Sequence, residues 1–425
     1  MQPKQIEFMI KVFKFGGTSI KDAQSIKNIS QILKDYAEEN LIVVFSAIGK
    51  VTNMLEEVVE EYMLKSKNAE QKLQKVKDFH ADILVDLFPH EHSIYNEVNN
   101  LFVEIEWVLE DEPNPDFAFN YDQIVSVGEL LSTKIMSAYL QEHGFKNKWL
   151  DARDVIRTDN KYRNAKIDWE QTNFFCKQHI KNFPIITQGF IGCTSENFTT
   201  TLGREGSDFT AAILAFALDA KQVIIWKDVD GVMNADPRYF KDSKQLMKIP
   251  FEEAIELAYY GAKVMHPKTI QPLQKKSIPL EVKSFVNPEK KSSIIGKFDA
   301  IEPFVPSYIV KENQILISVA DKNLSFIVEE HLSSIFSLFA TYAVRVNMMQ
   351  NSAVSFSFCM DYDSHKIPEL IIALKENFSV QFNEQLSMYT IRHYDEKSID
   401  TILKNRTLLL EQKSRHTIHL VVKAS

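Results

Sequence analysis

Four short segments carry residues able to handle an anionic ligand. Lys14-Phe15-Gly16-Gly17-Thr18-Ser19 sets a lysine just before two glycines and two hydroxyls. A turn from strand to helix exposes N–H groups and a partial positive charge, and glycines let a phosphate come close. The spacing is not GxxxxGK[ST], so this is not the common P-loop. Leu202-Gly203-Arg204-Glu205-Gly206-Ser207-Asp208 combines a guanidinium with an acidic helix start. Ile225-Trp226-Lys227-Asp228-Val229-Asp230-Gly231, then Asp236-Pro237-Arg238, and Gly261-Ala262-Lys263-Val264-Met265-His266-Pro267 add further charges at turns. Each segment alone also has a plain reading. These are a tight turn with a surface lysine, a helix capped by Ser207 or Asp208, an Asp-Gly turn and a helix stop.

The elements that would position these segments can be read from periodicity. Met9–Phe15 predicts a strand, followed by a helix with Ile26, Ile29, Leu33 and Tyr36 at three- and four-residue spacing. Leu41–Phe45 predicts a buried strand, and Glu56–Asp111 is helical in period. Gly128–Gln141 reads as a helix stopped by Gly144, and Pro184–Gln188 as a strand. Gly189–Gly206 reads as a polar loop, Ser207–Leu218 as a helix, Gln222–Trp226 as a strand and Phe251–Tyr260 as a helix. Alternating strands and helices imply an α/β fold, a mostly parallel sheet sandwiched by helices, with ligands beyond the carboxyl ends of the strands. The stretch Asn287–Asn313 is rich in Pro, Lys and Ser and reads as a linker. Beyond it, a β-α-β-β-α-β order predicts a small antiparallel, ferredoxin-like unit.

Glycine is scarce, 12 in 425 residues, and ten of them fall in or beside the segments that hold candidate site residues. Net charge −8 argues against nucleic acid as a partner. The longest apolar runs are too short for a membrane span. Three cysteines without ligand spacing predict no disulfide framework and fit a reduced, cytoplasmic setting.

KFGGTS, SAIGKVTN, SVGELLS, QGFIG, TTTLGREGSDFTA, IWKDVDGV…ADPR and GAKVMHP occur in one order across Lys11–Val286. This set resembles the aspartate kinases of the amino-acid kinase family. The tail resembles their paired ACT regulatory domains. The resemblance implies a catalytic domain over 8–300 and an ACT region over 308–425. It implies transfer of the γ-phosphoryl group of ATP, with Mg²⁺ held mainly through the nucleotide phosphates and no dedicated metal ligands, to the side-chain carboxylate of L-aspartate. Lys14 and Asp208 would be catalytic. Ser46, Thr52, Glu129, Phe190, Arg204 and Ser207 would border aspartate. Lys14, Gly16, Gly17, Thr18, Lys227, Asp228, Met233, Arg238, Lys263 and Val264 would border ATP.

The resemblance further implies a homodimer through the ACT region and feedback by lysine or threonine. Asn347 and Ala353 stand where lysine-sensitive relatives commonly carry acids, and the second ACT unit leaves little room for its first helix after Tyr389. Lys227, Met233 and Glu205 replace a frequent threonine, tyrosine and glycine. Another small-carboxylate kinase, such as a glutamate kinase, and a non-catalytic amino-acid sensor remain the competing readings.

Overall fold

The computed structural model describes residues 9–262, 265–322 and 325–424. Two compact units emerge. The first runs to Val232 and adds Gln245–Ile255 and Met265–Glu302; the second holds Met233–Lys244, the segment from Glu256, and the chain from Pro303 onward.

In chain order the first part gives β1 (Lys11–Phe15), α1 (Ala23–Lys34), β2 (Leu41–Phe45), α2 (Val51–Met63), α3 (Asn68–Leu87), α4 (Ile94–Glu110), α5 (Phe117–Val125), α6 (Val127–Glu142), β3 (Lys148–Leu150), α7 (Trp169–His179) and β4 (Ile185–Gln188). Then come β5 (Ile191–Cys193), β6 (Thr199–Thr201), α8 (Gly206–Ala217), β7 (Gln222–Lys227), β8 (Val232–Met233), β9 (Gln245–Leu246), β10 (Lys248–Pro250), α9 (Phe251–Tyr260), α10 (Pro267–Lys275), β11 (Leu280–Ser284) and β12 (Ser293–Gly296). An eight-stranded sheet has the order β10-β12-β11-β7-β1-β2-β4-β3. All its pairs are parallel except β11 with β12.

The register keeps the central carboxyl ends level. Phe15 lies opposite both Phe45 and Trp226, and Phe45 opposite Gln188. Phe15 stacks between the other two aromatics, with centroids 5.4 Å from Phe45 and 5.6 Å from Trp226. Side chains alternate along a strand, so Lys14 faces the side opposite Phe13 and Phe15, where α8 packs.

Three readings need correction here. The loop Gly189–Gly206 contains a buried hairpin, Ile191–Cys193 against Thr199–Thr201. Its threonines suit a pleated surface, and their polarity hid it. The supposed linker contributes β12 to the main sheet, because Ile294 and Ile295 pair on both sides. The Gly16–Ser19 turn opens a four-residue 3₁₀ segment, Gly17–Ile20, while α1 begins only at Ala23 and is capped by Asp22. The turn therefore offers no α-helix N-terminus to a ligand.

The second unit contains β13 (Ser307–Asp321), α11 (Glu329–Thr341), β14 (Val346–Asn351), β15 (Ser355–Asp361), α12 (Lys366–Asn377), β16 (Phe378–Arg392), α13 (Glu396–Leu403), β17 (Arg406–Lys413) and β18 (Thr417–Ala424). Its antiparallel sheet has the order β14-β15-β13-β16-β18-β17. Ile315, Ile317, Val319, Phe356, Phe358 and Met360 face α11 and α12 as one core. The ferredoxin-like order is present, and α13 answers the reading that little room remains for a helix after Tyr389. An Asp395–Ser398 capping box lets that helix form in eight residues.

Candidate active site

A cleft of about 450 Å³ opens at the carboxyl ends of the central strands. Lys14, Ser46, Thr52, Glu129, Phe190, Arg204, Ser207 and Asp208 all line it. Residues far apart in sequence meet because the turns after β1, β2 and β4 press together. A Cβ on Gly17 would lie 2.7 Å from Gly49 O, and one on Gly189 would lie 2.4 Å from Ser207 Cβ. Only glycine permits either approach. Backbone bonds seal the contact, Gly49 N to Gly17 O at 3.1 Å and Gly189 N to Phe45 O at 2.8 Å.

Lys14 Nζ lies 2.6 Å from Asp208 Oδ1, with side chains 12% and 6% exposed. That oxygen has no further partner among the described residues. Neither Ser207 nor Asp208 caps α8. The cap position is Glu205, in the left-handed region at φ 55° and with no side-chain capping bond; Gly206 N–H donates to Gly203 O at 2.9 Å, which leaves the Ser207 and Asp208 N–H groups without a side-chain cap. Glu205 instead accepts the His266 N–H at 2.8 Å. Phe190, with φ 72°, is another left-handed residue of the wall. Non-glycine residues pay for that conformation, and such strain gathers where surrounding structure holds a site in shape.

Glu129 sits in the first turn of α6 and is 2% exposed. Its Oε1 accepts the Ala47 N–H at 3.3 Å, and its Oε2 has no partner among the described residues. Burial pushes its carboxyl up to about 8, against the smaller opposing effects of backbone N–H groups and Lys14. A cation entering the cleft would relieve this cost. Arg204 is exposed at the same cleft.

The nucleotide-side positions are more dispersed. Gly16 and Thr18 lie in the turn after β1, and a Cβ on Gly16 would meet Lys14 Nζ at 3.3 Å. Lys227 ends β7 half-buried, and Asp228 follows exposed. Neither lines the cleft. Met233 and Arg238 belong to the second unit, where the Arg238 guanidinium pairs with Asp236. Lys263 and Val264 lie outside the described residues. In that second unit Asn347 is held by Lys311, Gln314 and Asp361, while Ala353 is exposed.

The cleft also holds Glu56, Tyr121 and Arg163, which the sequence reading missed. Tyr121 donates its hydroxyl to Glu56 at 2.7 Å. Beside it Asp122, buried, accepts the Arg163 N–H, the Thr201 N–H and the Thr201 hydroxyl. Burial pushes the Asp122 carboxyl up to about 6, the hydrogen bonds opposing. A carboxylate within an otherwise apolar helix face was the available signal.

The amino acid kinase family matches residues 9–284. Lysine-sensitive aspartokinase 3 of Escherichia coli is 32% identical over 356 residues, 83% of this chain and 78% of that protein. Aspartokinase 1 of Arabidopsis thaliana chloroplasts is 32% identical over 366 residues, and the match spans 63% of its length. Among solved structures, E. coli aspartokinase III with lysine and aspartate superposes with TM-score 0.82 at 29% identity, over 97% of this chain and 96% of that one. Its complex with aspartate and ADP gives 0.80 at 28%, with the same coverage. The chain belongs to the amino acid kinase family and, within it, to the aspartokinases.

Proposed function

We propose that the chain phosphorylates the side-chain carboxylate of L-aspartate with ATP, giving 4-phospho-L-aspartate and ADP. This is the first step toward lysine, threonine, methionine and diaminopimelate. One observation carries the reading. A buried Lys14–Asp208 pair and an unpartnered Glu129 oxygen line the same cleft as an exposed Arg204.

A carboxylate nucleophile with pKa near ~4 is ionised at neutral pH, so no general base is required. Its oxygen attacks the γ-phosphorus as the bond to the bridging oxygen of ADP breaks. The obstacle is repulsion between two anions, which positioning and positive charge reduce. Lys14, held by Asp208, neutralises charge on the phosphoryl group, and the open N–H groups of α8 add to it. Arg204 takes the α-carboxylate and Glu129, ionised, the ammonium, while Ser46, Thr52, Phe190 and Ser207 shape the wall. Gly16, Gly17, Thr18, Lys227, Asp228, Met233, Arg238, Lys263 and Val264 belong to the ATP side. No cluster of three acidic, His or Cys residues among the described residues offers a cage for a metal. Mg²⁺ would come with the nucleotide, held mainly through its phosphates and water, and would neutralise phosphate charge.

Residues 8–300 act as the catalytic domain and 308–425 as the ACT region. That region pairs two chains through the open edges β14 or β17 and binds lysine or threonine. Nothing described is a helix long and apolar enough to cross a membrane, and we place the protein in the cytoplasm.

A hydroxamate assay with ATP, Mg²⁺ and L-aspartate tests the reaction, because hydroxylamine traps an acyl phosphate directly. Signal with aspartate and none with glutamate is expected. Absence of signal from folded protein would remove the reading.

A further inference from the structure

Arg163 is a residue the mechanism leaves unused, and its placement is costly. It holds φ 63°, the left-handed region. A non-glycine residue stays there only when its surroundings fix it. They do so from two sides. The buried Asp122 carboxylate accepts the Arg163 N–H at 3.1 and 3.0 Å. The guanidinium lies over the Tyr121 ring at 4.3 Å and the Phe117 ring at 5.3 Å. Tyr121 is in turn tied to Glu56 at 2.7 Å.

The side chain is oriented, yet none of its donors bonds to a protein acceptor among the described residues. It lines the same cleft as Arg204. The two arginines also spring from touching backbone, since a Cβ on Gly203 would lie 3.0 Å from Arg163 O. A guanidinium presents a rigid fork suited to a carboxylate.

We infer that Arg163 is a further substrate-binding residue that holds the α-carboxylate of the amino-acid substrate together with Arg204. The inference rests on the aspartate kinase reading. Stacking on Tyr121 fixes the plane of the fork, and Asp122 fixes its root. Asp122 and Tyr121 are thus positioning residues.

The test uses the full chain and the variants Arg163→Gly and Arg163→Lys. Glycine suits φ 63°, so Arg163→Gly keeps the fold while deleting the fork. Wild-type hydroxamate formation comes first, and its absence would remove the function reading itself. With an active wild type, Arg163→Gly is expected to raise the KM for aspartate about tenfold, the worth of one charged hydrogen bond. The KM for ATP and kcat should stay within about twofold, and Arg163→Lys should recover part of the loss. An unchanged KM for aspartate in folded Arg163→Gly would overturn the inference. So would a rise in the KM for ATP instead.

Discussion

The ammonium of Lys14 and the carboxylate of Asp208 stand 2.6 Å apart and almost out of solvent, and Asp208 Oδ1 has no other partner among the described residues. Removing one member strands a buried charge at a cost of about 3–5 kcal/mol. Lys14→Met and Asp208→Leu should therefore each destabilise the first unit, and the double variant should lose less than their sum. Denaturant unfolding of the four proteins measures this coupling. Lys14→Met should also lower hydroxamate formation by at least roughly 10²-fold.

Glu129 gives a signed pH dependence. Its carboxyl stands near 8 in the folded chain against an ordinary 4.5. Between those values the native state holds a proton that the unfolded chain has released. Stability thus falls as pH rises from 4.5 to about 8 and then levels off. Glu129→Gln should abolish this slope and be the more stable protein at pH 8, by on the order of a few kcal/mol. Binding an ammonium requires the ionised form. The KM for aspartate should then rise toward tenfold per pH unit below about 7 and lose that dependence in Glu129→Gln.

Gly17→Ala tests the pressed turns. The new Cβ would meet two carbonyl oxygens, Gly49 O at 2.7 Å and Ala47 O at 2.9 Å, and backbone cannot rotate away. A loss of about 1–3 kcal/mol is expected. Activity should fall further than stability predicts, because Lys14 and Ser46 flank the turns that must part. Comparing kcat/KM with melting temperature separates the two effects.

Glu205 combines a left-handed backbone with a negative charge in the cleft. Glu205→Gly and Glu205→Ala both delete the charge and the bond to His266 N. Both should lower the KM for ATP a few fold, by removing repulsion with the phosphates. Glycine alone relieves the backbone, so it should exceed alanine in stability by about 1 kcal/mol. ATP titrations and thermal melts of the pair check each half.

The sheet was legible because its strands are continuous apolar runs such as Leu41–Phe45, buried on both faces. That Lys14, Asp208 and Arg204 would gather at one cleft was legible because their turns have recognisable composition, whereas Glu129 came only from the resemblance. Arg163, Tyr121 and Glu56 were not legible. They come from a polar loop and two helix faces, and only three-dimensional packing makes them neighbours. The Thr199–Thr201 strand was hidden for a related reason: its buried polar groups find partners far away in sequence, such as Asp122, which accepts the Thr201 N–H and hydroxyl across 79 residues. The 3₁₀ segment after Gly16 was invisible because apolar spacing cannot distinguish a tight turn from an early helix start.

Strand β1 places Phe13 and Phe15 in the aromatic core on one side and Lys14 in the cleft on the other. These five residues also hydrogen-bond to two neighbouring strands. A random change there meets the folding requirement and the proposed catalytic one together. A saturation library should find β1 the least tolerant stretch of the chain. The Arg163 loop is anchored mainly through main-chain atoms, so it should tolerate changes of side chain far better.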